Sequence, residues 1–181
     1  MTETQVLYAN IVSNIVAMLI LLISWRWRNV GRFLFLALFL WAAQTNLRVA
    51  IRTPSAYLEY ARWAVEPYRR FILGPFARHV GVMVGAIAFG QAAIAVLVAL
   101  RGRLVTLGLA GAMVFLLAIA PLGRGSAFPF SLIVAFAALR LTRHRYERTL
   151  MGEVALRSRG LRRRPTVGAH DAPMSAARGF R

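Results

Sequence analysis

Five apolar runs set the pattern of this chain, over about residues 7–25, 33–51, 80–100, 104–122 and 127–141. Short arginine-bearing turns separate some of them, and one long polar and aromatic stretch separates the second from the third. At 1.5 Å per residue the first four can cross a hydrocarbon core of about 30 Å. The fifth, at about 15 residues, either spans or re-enters, and a span is favoured. The pattern predicts an all-α membrane bundle of four to five transmembrane helices, with a short amphipathic helix lying at one interface.

Residues 52–79 contain no run long enough to span. Thr53-Pro54 reads as a helix start, with the hydroxyl as N-cap and proline at the first helical position. On a helical wheel Glu59, Arg62 and Glu66 share one arc, and Tyr57, Leu58, Tyr60, Ala61, Ala64 and Val65 fill the rest. This predicts a helix over about 54–66 in the interface plane, ended by Pro67, with Arg62 able to pair with Glu59 and Glu66. Tyr68, Arg69 and Arg70 follow in an irregular return.

Polar residues are few inside the runs. Asn10 and Asn14 stand four apart on the first, a spacing that serves interhelical bonding. Gln44, Asn46 and Arg48 interrupt the second, and Gln91 the third. Gly81 and Gly85 with Ala88 and Ala92, and Gly108 with Ala112, form small-residue stripes that a neighbouring helix can approach closely. Trp25 and Trp27 read as interface anchors.

The composition sharpens this picture. The 181 residues are 59% hydrophobic, above the 45–50% or so of a soluble domain. Cysteine is absent, which excludes disulfides, thiolate metal sites and cysteine nucleophiles. The formal net charge is +17, carried by arginine without lysine. With the N-terminus outside, sixteen arginines fall on the tail side of the membrane and six on the other. The positive-inside rule then predicts a multi-pass inner-membrane protein with its N-terminus out and its C-terminus cytoplasmic. Residues 1–142 form the bundle and 143–181 a basic cytoplasmic tail, partly disordered. Its Arg140, Arg143, Arg145, Arg148, Arg162, Arg163 and Arg164 are suited to anionic lipid, so the basic charge calls for no nucleic acid.

Catalytic equipment is missing from the pattern. No carboxylate lies in a span, no histidine and carboxylate cluster has metal spacing, and no nucleotide-binding loop occurs. The expectation is a non-enzymatic protein without catalytic, cofactor-binding or metal-ligating residues, working as an accessory or interaction subunit near a respiratory or redox complex. Its partners would be membrane lipids and other membrane subunits or further copies of itself. The alternative is a quinone- or lipid-headgroup-binding redox subunit, with quinone as possible cofactor; a small solute carrier is disfavoured. The candidate headgroup site comprises Asn10, Asn14, Gln44, Asn46, Arg48, Glu59, Tyr60, Tyr68 and Arg69. Arg48 is proposed as its focus, held by Gln44 and Asn14 under the 54–66 helix, although an arginine that snorkels to the interface or pairs with a glutamate is the favoured explanation.

Asn46 with Arg48, Pro54 with Tyr57, Tyr68-Arg69, Pro121-Leu-Gly123 and Ser126-Ala-Phe-Pro129, in that order over about residues 5–142, resemble the DoxX-like group of small bacterial membrane proteins. The resemblance implies a helical bundle associated with a terminal quinol oxidase. It assigns no catalytic residue.

Overall fold

The computed structural model describes the backbone of residues 3–162 and the side chains of residues 4–156. Among these residues the secondary structure is helical, without a strand. Four long helices alternate in direction: α1 (Glu3–Arg26), α2 (Arg28–Arg52), α4 (Val80–Ala99) and α5 (Arg103–Ile119), with α3 (Glu66–Phe71) between α2 and α4. A shorter α6 (Phe130–Thr142) completes the bundle, and α7 (Leu150–Arg162) follows it. Four segments are long and apolar enough to cross a membrane: Thr4–Arg26, Arg28–Arg52, Val80–Ala99 and Arg103–Ser126. This is an all-α, multi-pass membrane fold. Below, the end holding the α2–α4 connection is the loop face, and the end holding α7 is the tail face.

The core is built from one stripe per helix. Ala17 and Ile20 of α1, Phe35 and Phe39 of α2, Ala95 and Val98 of α4, Leu109 and Ala112 of α5, and Val134 and Ala138 of α6 meet in one cluster. The outward faces keep large apolar side chains such as Leu22, Phe89 and Val114 exposed, as hydrocarbon requires. α1 is the most peripheral long helix. It packs chiefly on α6 and α2 and buries only a narrow stripe through Ala17, Ile20 and Ser24.

The small-residue stripes divide. On α5 the prediction holds: Ala112 is fully buried, and a Cβ at Gly108 would stand 2.9 Å from the Val98 backbone nitrogen, so glycine is needed where α4 and α5 cross. On α4 it does not. Nothing lies within 4 Å of a Cβ at Gly85, and the helix packs instead through Val84, Ala88, Gln91 and Ala95. Tight packing selected alanine and valine there.

The 52–79 connection also departs from the sequence reading. Pro54–Arg62 is a 3₁₀ helix, the chain turns extended at Val65, and α3 starts a new helix at Glu66. Pro67 therefore sits in a first turn, where its missing N–H costs nothing, and opens a helix instead of ending one. Thr53 makes no side-chain cap bond. The break between Arg62 and Glu66 removes the expected pairing. Arg62 lies 5.6 Å from the Trp63 ring centroid, and Glu66 pairs with Arg70 at 2.8 Å, one turn on in α3.

Candidate functional site

On α2 the buried stripe runs Arg32, Phe35, Phe39, Ala43, with Asn46 continuing it at half-burial. At about 100° per residue, Gln44 and Arg48 lie about 160° from Asn46 and within about 40° of each other. Both are exposed on the outer side of the helix. Arg48 is thus not the focus of a polar cluster, and neither Gln44 nor Asn14 holds it. Asn46 takes that place. Its Nδ2 donates to Gln91 Oε1 of α4 at 2.7 Å, and its Oδ1 accepts from the Tyr57 hydroxyl of the 3₁₀ helix. Gln91 is 3% exposed, so this three-residue chain ties α2, α4 and the loop-face cover through otherwise apolar packing. Burial, reinforced by neighbouring Tyr60, pushes the Tyr57 phenol up to about 12, so it remains a donor.

The loop-face cover is held on a second, broken segment. After α5 the chain makes a 3₁₀ turn over Ala120–Ser126, kinks at Gly123 (φ 58°, ψ −124°) and passes Ala127 in the left-handed region (φ 53°) before α6. The Val65 N–H donates to the Pro121 carbonyl at 3.0 Å, and the Tyr68 hydroxyl to the Ala118 carbonyl at 2.7 Å. A Cβ at Gly123 would approach the Trp63 carbonyl oxygen to 2.7 Å, and one at Gly125 the Tyr60 ring to 2.5 Å. Tyr60 and Tyr68 thus serve as packing and bonding partners of residues 118–126. Glu59 and Arg69 are exposed and away from these contacts.

Asn14 defines the depth of this broken segment. Its Nδ2 donates to the Ala127 carbonyl at 3.2 Å and to the Asn10 carbonyl of its own helix at 2.9 Å. Asn14 precedes Trp25 by eleven residues, about 16 Å of helix rise. The Trp25 ring stacks under the Arg140 guanidinium at 4.4 Å, and Phe130 precedes Arg140 by ten residues, about 15 Å. With the Trp25–Arg140 pair taken as the tail-face interface, both helices would set the start of α6 near the middle of a core about 30 Å thick. α6, with thirteen residues, covers about 20 Å, and residues 120–129 carry the chain through the remaining depth. Irregular backbone there is tolerated because the 57–68 segment, α1 and its own turns bond it.

Beside that segment a lateral groove of about 650 Å³ runs along α1 from Val6 to Leu19, with Asn10, Asn14, Arg124 and Phe128 in its wall. Asn10 spends its amide donor on the Val6 carbonyl, at 3.2 Å. Arg124 is exposed in the groove. The predicted headgroup residues therefore separate into three places: a structural Asn46–Gln91–Tyr57 chain, a groove with Asn10 and Asn14, and outward-facing Gln44 and Arg48. Arg124 was not expected, because an arginine beside Pro121 and two glycines reads as a surface turn.

At the tail face one arginine departs from the sequence reading. Arg32, read as part of a basic turn, is 1% exposed. Its guanidinium donates to the carbonyls of Val98 (3.0 Å), Leu100 (2.7 Å) and Arg148 (3.3 Å) and lies 4.5 Å from the Tyr146 ring centroid. Tyr146 donates to the Leu141 carbonyl at 2.9 Å and accepts at its own carbonyl from Gly102 N at 2.6 Å. Burial pushes its phenol up to about 12 against the opposing pull of Arg32 and Arg28. Of the arginines assigned to anionic lipid, Arg143, Arg145 and Arg148 are exposed, while Arg140 covers Trp25. Arg163 and Arg164 lie outside the described residues, as does the Arg162 side chain. A second recess of about 630 Å³ opens here between Arg103, Thr106, Arg143 and Arg145.

No group of three or more histidine, cysteine or carboxylate side chains is placed to hold a metal ion among the described residues. Comparison of the chain with known protein families, with curated proteins and with solved structures found no match to any of them.

Proposed function

We propose that this chain is a non-enzymatic protein of the bacterial cytoplasmic membrane that works by association within the bilayer, as an accessory or interaction subunit near a respiratory or redox complex. The observation that supports this is the use made of its interior polar groups. Arg32, Asn46, Gln91 and Tyr57 are committed to holding helices together. At the same time α1, buried along one stripe only, offers a long lateral face. The resemblance of Asn46, Arg48, Pro54, Tyr57 and the 121–129 stretch to the DoxX-like group suggests the respiratory neighbour. The arginine distribution supports an orientation with the N-terminus outside and the tail in the cytoplasm. Isolation in mild detergent under native expression tests this: the chain is expected to co-purify with a larger membrane assembly, and a monomer recovered alone at every detergent concentration contradicts it.

The groove between α1 and residues 124–128 favours a second reading, that of a protein binding the headgroup and chain of a membrane amphiphile. It has an apolar length, polar residues at one flank and a lateral opening.

A further inference from the structure

We infer that the groove along α1 holds one phosphate-bearing anionic lipid, with its phosphate drawn to Arg124 and an acyl chain laid against Ile11, Ile15 and Leu19. This deepens the headgroup-binding reading and rests on it.

Depth is the first argument. Residues 120–129 descend from the end of α5 to the α6 start near the bilayer middle, so Arg124 belongs to the half of the membrane on the loop face. An exposed guanidinium at that depth is costly unless an anion or water meets it. No carboxylate lines the groove. Among the described residues the one carboxylate–arginine pair is Glu66 with Arg70, on the exposed side of α3. A lipid phosphate supplies the missing charge.

Length is the second. From Val6 to Leu19 the groove follows thirteen residues of α1, about 20 Å. That is a little more than one leaflet of a 30 Å core. It is long enough for one acyl chain of a lipid entering from the loop face, the chain end passing the bilayer middle at Leu19. The polar groups of the wall, Asn10, Asn14 and Arg124, lie from Asn14 toward the loop face, among apolar Val6, Leu7 and Ile11, and beyond Asn14 the wall is apolar, at Ile15, Met18 and Leu19. The order head, then chain, is the order of a phospholipid entering from the loop face. Because the backbone at 121–127 is bonded to Val65, Asn14 and its own turn, Arg124 is carried on a fixed support.

The test uses the full chain in mild detergent, equilibrated with micelles carrying equal amounts of phosphatidylglycerol and phosphatidylcholine, with retained lipid counted by native mass spectrometry. Wild type is expected to retain phosphatidylglycerol about five-fold over phosphatidylcholine, because both offer a phosphate but only the first leaves its charge uncancelled by a choline cation, a difference of about 1 kcal/mol at one arginine. Arg124→Gln should abolish the preference, and Arg124→Lys should keep most of it. Ile15→Trp, at a position 55% exposed and so compatible with the fold, should lower retention of both lipids by filling the groove. Inorganic phosphate at millimolar concentration should not displace the lipid. Equal retention of both lipids by wild type, an unchanged preference in Arg124→Gln, or displacement by phosphate alone would each overturn the proposal. If wild type retains both lipids equally and Ile15→Trp lowers both, the groove binds amphiphiles without selecting an anionic headgroup. If Ile15→Trp changes nothing, the headgroup-binding reading itself falls.

Discussion

The Arg32 guanidinium closes the end of α4: its Nη2 donates to the Leu100 carbonyl at 2.7 Å and to the Val98 carbonyl at 3.0 Å. The last carbonyls of a helix lack partners and carry the negative end of its dipole, so a buried cation here serves both needs. The same side chain reaches the Arg148 carbonyl at 3.3 Å and thereby ties α2, the α4–α5 turn and the α7 approach together.

Arg32→Leu is expected to cost about 3 kcal/mol or more, since several buried carbonyls lose a charged donor at once. Arg32→Lys should recover only a minority of that, because one ammonium cannot copy the guanidinium fork across three carbonyls. Thermal unfolding in detergent measures both. A lysine variant as stable as wild type would mean that charge alone matters.

Asn46 and Gln91 should show direct coupling. In a double-mutant cycle with Asn46→Leu and Gln91→Leu, the interaction energy is expected near 1 kcal/mol, the scale of interhelical hydrogen bonds in membranes. Arg48→Lys, by contrast, should match wild type in folded yield, because Arg48 is exposed and either cation reaches the interface. A large loss in Arg48→Lys with none in Asn46→Leu would return Arg48 to the centre of the site.

Gly123→Ala is expected to destabilise by about 1–3 kcal/mol. The left-handed backbone disfavours any side chain, and the added Cβ would press on the Trp63 carbonyl oxygen at 2.7 Å. Gly85→Ala, with open space around it, should be neutral or slightly stabilising. Unfolding midpoints of the two variants check the contrast.

Stability should fall in strong alkali through Tyr146. Its folded phenol titrates at about 12 against an ordinary value near 10, so the folded state holds the proton more tightly. The contribution is complete below about pH 10 and is lost as pH rises from about 10 to 12. Tyr146→Phe should therefore flatten the decline of the unfolding temperature over that window, and an unchanged decline would exclude Tyr146 as a contributor.

Much of the fold was legible because hydrocarbon imposes a simple rule on sequence: long apolar runs, with arginines and tryptophans at their ends. The runs near 7–25, 33–51, 80–100 and 104–122 correspond to α1, α2, α4 and α5. The register of α2 was also readable. Residues 32, 35, 39, 43 and 46 share a helical stripe that excludes 44 and 48, and following it would have placed Arg32 and Asn46 inside and Arg48 outside. Counting charge as a feature of turns hid Arg32. Pro67 misled because proline both ends and begins helices, and only the extended Val65 before it decides which. Arg124 was out of reach of the sequence. Its depth follows from the Asn14–Ala127 bond and from where α6 starts, both of which are tertiary facts.

The account turns on residues 120–129 lying inside the membrane on the loop-face side. Since the chain has no cysteine, a single cysteine can be placed at will and carry a nitroxide. Labels at positions 15, 128 and 65 in lipid nanodiscs, compared for collision with oxygen and with a water-soluble nickel chelate, report depth directly. Position 128 is expected to match position 15, rich in oxygen collisions and shielded from nickel, while position 65 reports headgroup level. A label at 128 as open to nickel as that at 65 would contradict the buried loop, and the groove with it.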